Sequence, residues 1–443
     1  MRKFARRQAV HSFCQLYREQ IANIFKEIRF VRIHRIFFMV AVVGLLLSCT
    51  QSVHDDPTLN EVPGVSETEI LIGSSLALSG HAGFLGTQTL NGALSYINHV
   101  NEQGGVHGRR IRVIAYDDGY DPPRCLANTQ KLIVDDQVFA LFSYVGTPTT
   151  VKILPLIEQA QVPLLGIFSG ANAFREPFNR NIVNIRASYY QETNEVVRHF
   201  VEDLGLTKIA VFYQYDAYGF DGLKGTELAL RTYDLAPVAR SSYTRGTQDI
   251  EEGLEAIIES KAEAVIMVGT YDACAKFIKQ ARSRGFSPLF HNVSFVGSEE
   301  LARILGKDGD GVIISQVVPP PDSLESQALL WGVVEYLERH KRAFPEDLPN
   351  LVALEGYINA KVLVEGLRRA GRNLSRTRFI DAIQSIQNYS LGIANTLSFG
   401  PTNHQGLERV YFTIIQNGRL VILTDWNRLT AEAKHDPPAA CPE

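Results

Sequence analysis

The chain is poor in cysteine and lacks the motifs that bind metal or catalyse. Five cysteines are spread over 443 residues: Cys14, Cys49, Cys125, Cys274 and Cys441. None stands in a CxxC or Cys/His pattern, which excludes a zinc module and a disulfide-built scaffold. Buried thiols, or one opportunistic disulfide, are the expectation for Cys125, Cys274 and Cys441. There is no GxSxG, no HExxH, no GxGxxG behind a strand and no Walker loop. The sequence therefore offers no nucleophile–base set and no nucleotide cradle. Asp308 and Asp310 hint at a calcium loop, but the twelfth position counted from Asp308 is Pro319, where a bidentate Glu is needed. No cofactor, no metal and no enzymatic activity are expected. Low-complexity tracts and internal repeats are absent as well.

Positive charge is scarce outside the N-terminus. Residues 1–48 carry nine Lys/Arg and two acids, a net of +7; since the whole chain is −4, residues 49–443 carry −11. An acidic body argues against nucleic acid as a partner. The apolar run Ile36–Leu47 has twelve residues. That is short of the roughly 20 needed to span a bilayer and matches a signal-peptide core behind Arg29, Arg32 and Arg35. It ends in Leu46-Leu47-Ser48-Cys49, which resembles a bacterial lipobox. Residues 1–48 are thus expected to be a signal peptide with an extended basic leader. Cys49 would be the lipidation site, and 49–66, polar with two prolines, the tether.

What is present is a repeating β-α pattern. Glu69–Ser74, Ile111–Tyr116, Val138–Val145 and Val162–Ile167 read as strands, with helices of 3.6 periodicity between them. A second series follows: Lys208–Tyr213, Ala264–Val268 and Leu289–Val296. This order predicts an α/β fold of two Rossmann-like lobes with parallel-core sheets, joined by a three-stranded hinge. Lobe one is expected at 67–187 plus 319–400, lobe two at 188–318 plus 401–428, and a tail at 429–443. Arg186–Tyr190 and Ile314–Asp322 read as crossovers, and Val410–Leu423 as a hairpin turning at Asn417-Gly418.

In open α/β sheets ligands bind beyond the carboxyl ends of the strands. Those corners hold Ser79 with Phe84 and Leu85, then Gly146–Thr150, then Ser169–Ala171. In the second series they hold Asp216–Gly219, Gly269–Asp272 and Gly297–Glu300. Hydroxyls and helix-start amides suit an anionic end, a Glu suits a cationic end, and tyrosines cover an apolar middle. The local alternative for Thr147-Pro148 is a helix cap followed by proline at the first helical position. Tyr189 and Tyr190 read as hinge packing.

The segments "LIGSSLALSG", "INHVNEQGGVHGRRIRVIAYDDGYDP", "IAVFYQYDAYGFDG", "EGYINAKVLVEGLRRAG" and "LSFGPTNHQGLERVYFTIIQNG" resemble the type I periplasmic binding proteins. More narrowly, they resemble the leucine/isoleucine/valine-binding family of ABC-transporter substrate-binding proteins. The resemblance implies a Venus-flytrap that closes on a small polar solute (an amino acid or related amide or carboxylate). It implies ligand contacts at Ser79, Phe84 or Leu85, Thr149 with Thr147 and Thr150 close, Ser169, Tyr218 and Tyr271, with Glu299 for the ammonium. Ala171 stands where the family has a Thr, and Tyr120 where it has a disulfide Cys. It further implies a monomer outside the cytoplasm that serves a membrane permease; presentation of the solute to a receptor or kinase is the alternative.

Overall fold

The computed structural model describes residues 62–429. The signal segment, Cys49 and the tail beyond 429 lie outside the described residues.

Two sheets organise the body. The first is β1 (Glu69–Leu76), β2 (Arg110–Asp117), β3 (Ala140–Phe142), β4 (Leu164–Leu165) and β5 (Ile182–Val183), in the order β2-β1-β3-β4-β5 and all parallel. Parallel strands are covered on both faces, and β3 and β4 are accordingly buried throughout. The second sheet has seven strands. Here β6 is Ile209–Gln214, β7 Arg240–Tyr243, β8 Ala264–Val268, β9 Leu289–Asn292 and β10 Ile313–Gln316. These five are parallel; β11 (Tyr389–Ser390) and β12 (Thr396–Leu397) form a separate antiparallel pair, and the terminal hairpin, β13 (Tyr411–Gln416) and β14 (Arg419–Ile422), adds antiparallel to β10, giving the order β14-β13-β10-β9-β8-β6-β7. Asn417 and Gly418 turn it, with φ of 50° and 72°, the backbone that a tight two-residue hairpin requires.

The strand order reverses between β1 and β3 in one sheet and between β6 and β8 in the other. Loops diverge at these switch points and leave a crevice. The chain crosses between the sheets three times: after β5, after β10, and again at 403–407. The first and third crossings lie side by side. Asn184 N donates to His404 O (2.8 Å), Gly406 N to Asn184 O (3.0 Å) and Leu407 N to Ile185 O (2.8 Å). The helix Leu351–Ala370, buried along most of its length, packs with Gly83–Glu102 on the first sheet.

Several elements differ from expectation. Ile313–Gln316, read in part as crossover, is β10; the crossing starts only after it. β7 was not foreseen, because RSSY is a polar edge strand with no apolar alternation. The strand read as Leu289–Val296 stops at Asn292, and Ser294–Val296 forms a 3-10 turn. Gly146, at φ 104°, is the N-cap of the helix Thr147–Ala160, so Thr147 and Pro148 are its first two residues and no side chain caps it. Cys125 and Cys274 are separate buried free thiols. Asp310 Oδ1 accepts from Asn417 N (2.7 Å), so that acidic turn anchors the hairpin.

Candidate functional site

The corner after β3 brings hydroxyls together in an apolar setting. Thr147 Oγ1 and Ser169 Oγ are 2.7 Å apart, and Ser169 Oγ also accepts from Ala171 N (3.2 Å). Thr149 turns back on its own chain, donating to Val145 O (2.7 Å) with Gly146 O at 3.0 Å. Its proton is therefore not available to an anion. Thr150 Oγ1 is buried with no partner. So is the hydroxyl of Tyr189, beside Ser169. A buried O–H without a partner costs roughly 1–3 kcal/mol, which marks both as places for an acceptor.

Glycine at 146 is required twice over. Its φ disfavours any side chain, and a Cβ there would stand 2.1 Å from Tyr120 Cε2. Tyr120 itself is left-handed (φ 61°) and fully buried. Asp118 holds it by accepting from Tyr120 N (2.9 Å) and from Ser75 Oγ (2.7 Å); burial pushes that carboxyl up to about 6. Ser79 is exposed, and its hydroxyl donates to Asp117 Oδ2 (2.6 Å). It braces the loop and is not brought into the hydroxyl group.

The second sheet contributes rings. Tyr218 is buried between Tyr189 (5.3 Å between centroids) and Phe295 (4.8 Å), and its hydroxyl donates to Gly269 O (3.3 Å). Phe295 reaches on to Phe168 (5.6 Å) and Tyr120 (5.9 Å) of the first sheet. Tyr271 meets Phe84 edge-on at 6.4 Å. The Cβ position of Gly297 lies 2.9 Å from Leu85 Cδ2 and 3.2 Å from Tyr271 Cδ1. Phe84, Leu85 and Tyr271 thus converge, while Thr147, Ser169, Tyr189 and Tyr218 form a second group.

Glu299 sits in the first turn of the helix Ser298–Leu305. Its Oε1 accepts from Leu351 N (2.7 Å), the first amide of the long helix on the other sheet. That donor is an orphan of a helix start, and the helix dipole favours the carboxylate there. Burial nevertheless wins and pushes Glu299 up to about 7, because Oε2 is enclosed and has no partner.

Sequence reasoning missed Tyr120, Phe168 and Phe295. It also missed a buried charge cluster at the crossings. Arg186 is 3.2 Å from Glu192 and 3.3 Å from Glu355, and its guanidinium also donates to Ser294 Oγ. Glu192 further accepts from Ser294 N (2.8 Å), Ser294 Oγ (2.9 Å) and Ser315 Oγ (2.5 Å). Burial disfavours the Arg186 charge, but Glu355 and Glu192 outweigh it and hold the guanidinium protonated. The one available signal was an Arg in a crossover, which sequence spacing could not pair. Among the described residues no group of three or more His, Cys, Asp or Glu is arranged to hold a metal ion.

Two α/β lobes, linked by three crossings and facing each other with their switch-point loops, define a two-lobed solute-binding protein. A family model described as "Periplasmic binding protein" matches residues 69–419. The chain belongs to that family, as a type I member of its leucine/isoleucine/valine-binding branch. Leu/Ile/Val-binding protein homolog 7 of Brucella abortus (strain 2308) is 24% identical over 315 residues, covering 69% of this chain and 78% of that protein. The crystal structure of a possible leucine/isoleucine/valine-binding protein from Rhodopirellula baltica SH 1 aligns with a TM-score of 0.78 and 33% identity, over 84% of this chain and 99% of that one. A fatty acid ABC transporter substrate-binding protein from Thermomonospora curvata shares the fold at TM-score 0.72 and 21% identity, over 83% of this chain and 96% of that one. Proteins of this family bind solutes and are not enzymes, and they work outside the cytoplasm.

Proposed function

We propose that the protein is the solute-receiving component of an ABC-type importer and binds an amino-acid-like solute between its lobes. One observation carries this reading: the region where the lobes meet holds unpartnered groups of opposite preference. Thr150 Oγ1 and the Tyr189 hydroxyl want an acceptor, while Glu299 Oε2 wants a donor or a cation. A carboxylate at the hydroxyl corner and an ammonium at Glu299 would complete both, with Phe84, Leu85, Tyr218 and Tyr271 around the stem.

Lobe one (67–187 with 319–400) and lobe two (188–318 with 401–428) would move about the three crossings. Contacts made only when the lobes meet, such as Glu299 on Leu351 N, would favour the closed form. Cys49 would carry lipid and tether the protein, a monomer, to the membrane beside its permease. The names of the relatives, Leu/Ile/Val-binding among them, support an amino acid. Fold alone does not choose among ligands.

A thermal-shift screen of amino acids, amides and small carboxylates tests the reading. A ligand at 100 times its dissociation constant raises stability by about 2.7 kcal/mol. Absence of a shift with every amino acid and carboxylate would overturn it. Separately, Cys49→Ser should move the protein from the membrane to the soluble fraction.

A further inference from the structure

The corner after β9 carries a ring to which the proposed function gives no role. Phe295 sits in the 3-10 turn Ser294–Val296 and is fully buried. Like the other corners at the carboxyl ends of the strands, this one borders the crevice in which open α/β sheets bind ligands. Its ring is the common neighbour of three others. Tyr218, from the corner after β6, is at 4.8 Å, Phe168, after β4, at 5.6 Å, and Tyr120, after β2, at 5.9 Å. Two of these flank the hydroxyl corner. Phe168 O accepts from Gly146 N (3.2 Å), and Tyr120 is the ring that a Cβ at Gly146 would strike. Through them Phe295 of the second sheet is packed onto the hydroxyl corner of the first.

The turn that carries this ring is fixed. Ser294 N donates to Glu192 Oε2 (2.8 Å), its hydroxyl to Glu192 Oε1 (2.9 Å), and Val293 N to Met267 O (3.2 Å). The neighbours are held as well, Tyr218 by its hydroxyl on Gly269 O and Tyr120 by its amide on Asp118. A ring fixed in this way acts as a wall. We propose that Phe295 determines which side chain the solute may carry: the space beside the hydroxyl corner takes an amino acid with an aliphatic side chain and rejects one that brings a ring of its own. The inference rests on the reading that the solute's carboxylate is received at that corner. An interior this densely packed takes in another ring only by displacing one. Truncating Phe295 would open a ring-sized apolar recess lined by Tyr120, Phe168 and Tyr218, which an aromatic side chain can fill.

Alanine, leucine and phenylalanine separate the cases, since they share one head group and only the last has a ring. In calorimetry the tighter-binding of alanine and leucine should bind the parent at least tenfold more tightly than phenylalanine does. Phe295→Ala should raise the affinity for phenylalanine relative to that aliphatic partner at least tenfold, with Phe295→Leu in between. Phe212→Ala is the control. Its ring packs on Tyr243 and Phe277 within the second sheet's own layers (5.3 and 4.4 Å between centroids), so its loss should cost stability and leave the ratio unchanged. Phenylalanine binding the parent as tightly as the aliphatic pair overturns this inference whatever the variants do. So does a ratio that Phe295→Ala moves no further than Phe212→Ala. Either result leaves the proposed function standing. A parent that binds none of the three overturns this inference, and one stabilised by no amino acid or carboxylate at all overturns both.

Discussion

Glu192 and Glu299 are both carboxylates enclosed where the lobes meet, yet they are in opposite condition. Glu192 has both oxygens taken, by Arg186, Ser294 and Ser315. Glu299 has one oxygen on Leu351 N and the other on nothing. A completed network fixes geometry: Glu192 draws Ser294 and Ser315 of one sheet onto an arginine that also holds Glu355 of the other. An incomplete one stores an unmet demand, and under the proposed function that demand would be met by the ligand. The difference separates a buried charge that serves as scaffold from one that we propose serves the ligand.

The sharpest way to break this comparison is to remove each acid. Glu192→Ala leaves Arg186 with Glu355 as its one carboxylate and takes the acceptor from Ser294 N and Ser315 Oγ. It should cost about 3–5 kcal/mol of folding free energy in denaturant titration. A loss below 1 kcal/mol would show that the cluster is not scaffold. Glu299→Ala should instead weaken binding of an amino acid by about 2–4 kcal/mol in calorimetry, since a charged partner is lost, while costing little stability. Equal affinity for parent and variant would remove Glu299 from the site. Gly146→Ala forces a strained φ and pushes on the Tyr120 ring. It should destabilise by roughly 1–3 kcal/mol and weaken binding as well.

The smallest effect is a pH dependence. Glu299 ionises near 4.5 in the unfolded chain and near 7 in the fold. Its folded form thus holds the proton more tightly. The stability it contributes is complete below about 4.5 and is lost as pH rises through 7. Glu355, also pushed up to about 7 by burial, and Asp118 and Asp221, pushed up to about 6, act with the same sign. The ligand-free parent should therefore lose stability between about pH 4.5 and 7 more steeply than Glu299→Gln does, as thermal melts across that range will show. A cation bound at Glu299 favours the ionised form, so binding at pH 7 should release a fraction of a proton. Calorimetry in buffers of different ionisation heat reads that fraction.

Much of the fold was legible because its causes are local. Apolar runs such as IAVFYQ and AVIMV, glycines at corners and the Asn-Gly turn each act over a few residues, and β8 falls where the run predicts it. The elements that escaped were those whose identity depends on neighbours. The polar edge strand β7 is a strand because β6 pairs with it. Ile314–Gln316 looked like the start of a passage between lobes, yet it belongs to a central strand bounded by β9 and β13. Of the candidate site, the loop corners fall at the strand ends as the sequence implies, but their internal wiring was not legible. Thr149 bonds its own backbone, Ser79 braces Asp117, and Tyr189, set aside as packing, carries a buried free hydroxyl.

The sequence by itself determined the α/β alternation, the places where strands end and loops can receive a ligand, and the family resemblance. Periodicity and chain-stiffening residues are properties of short segments. The tertiary structure alone decided which polar groups are satisfied and which are left waiting. Thr147 meets Ser169 22 positions away, Glu299 meets Leu351 52 away, and Arg186 meets Glu355 169 away. The first pair joins two corners of one sheet; the other two need chain that has crossed to the second sheet and returned. A group's demand for a ligand is what remains after all of those distant partners have been assigned.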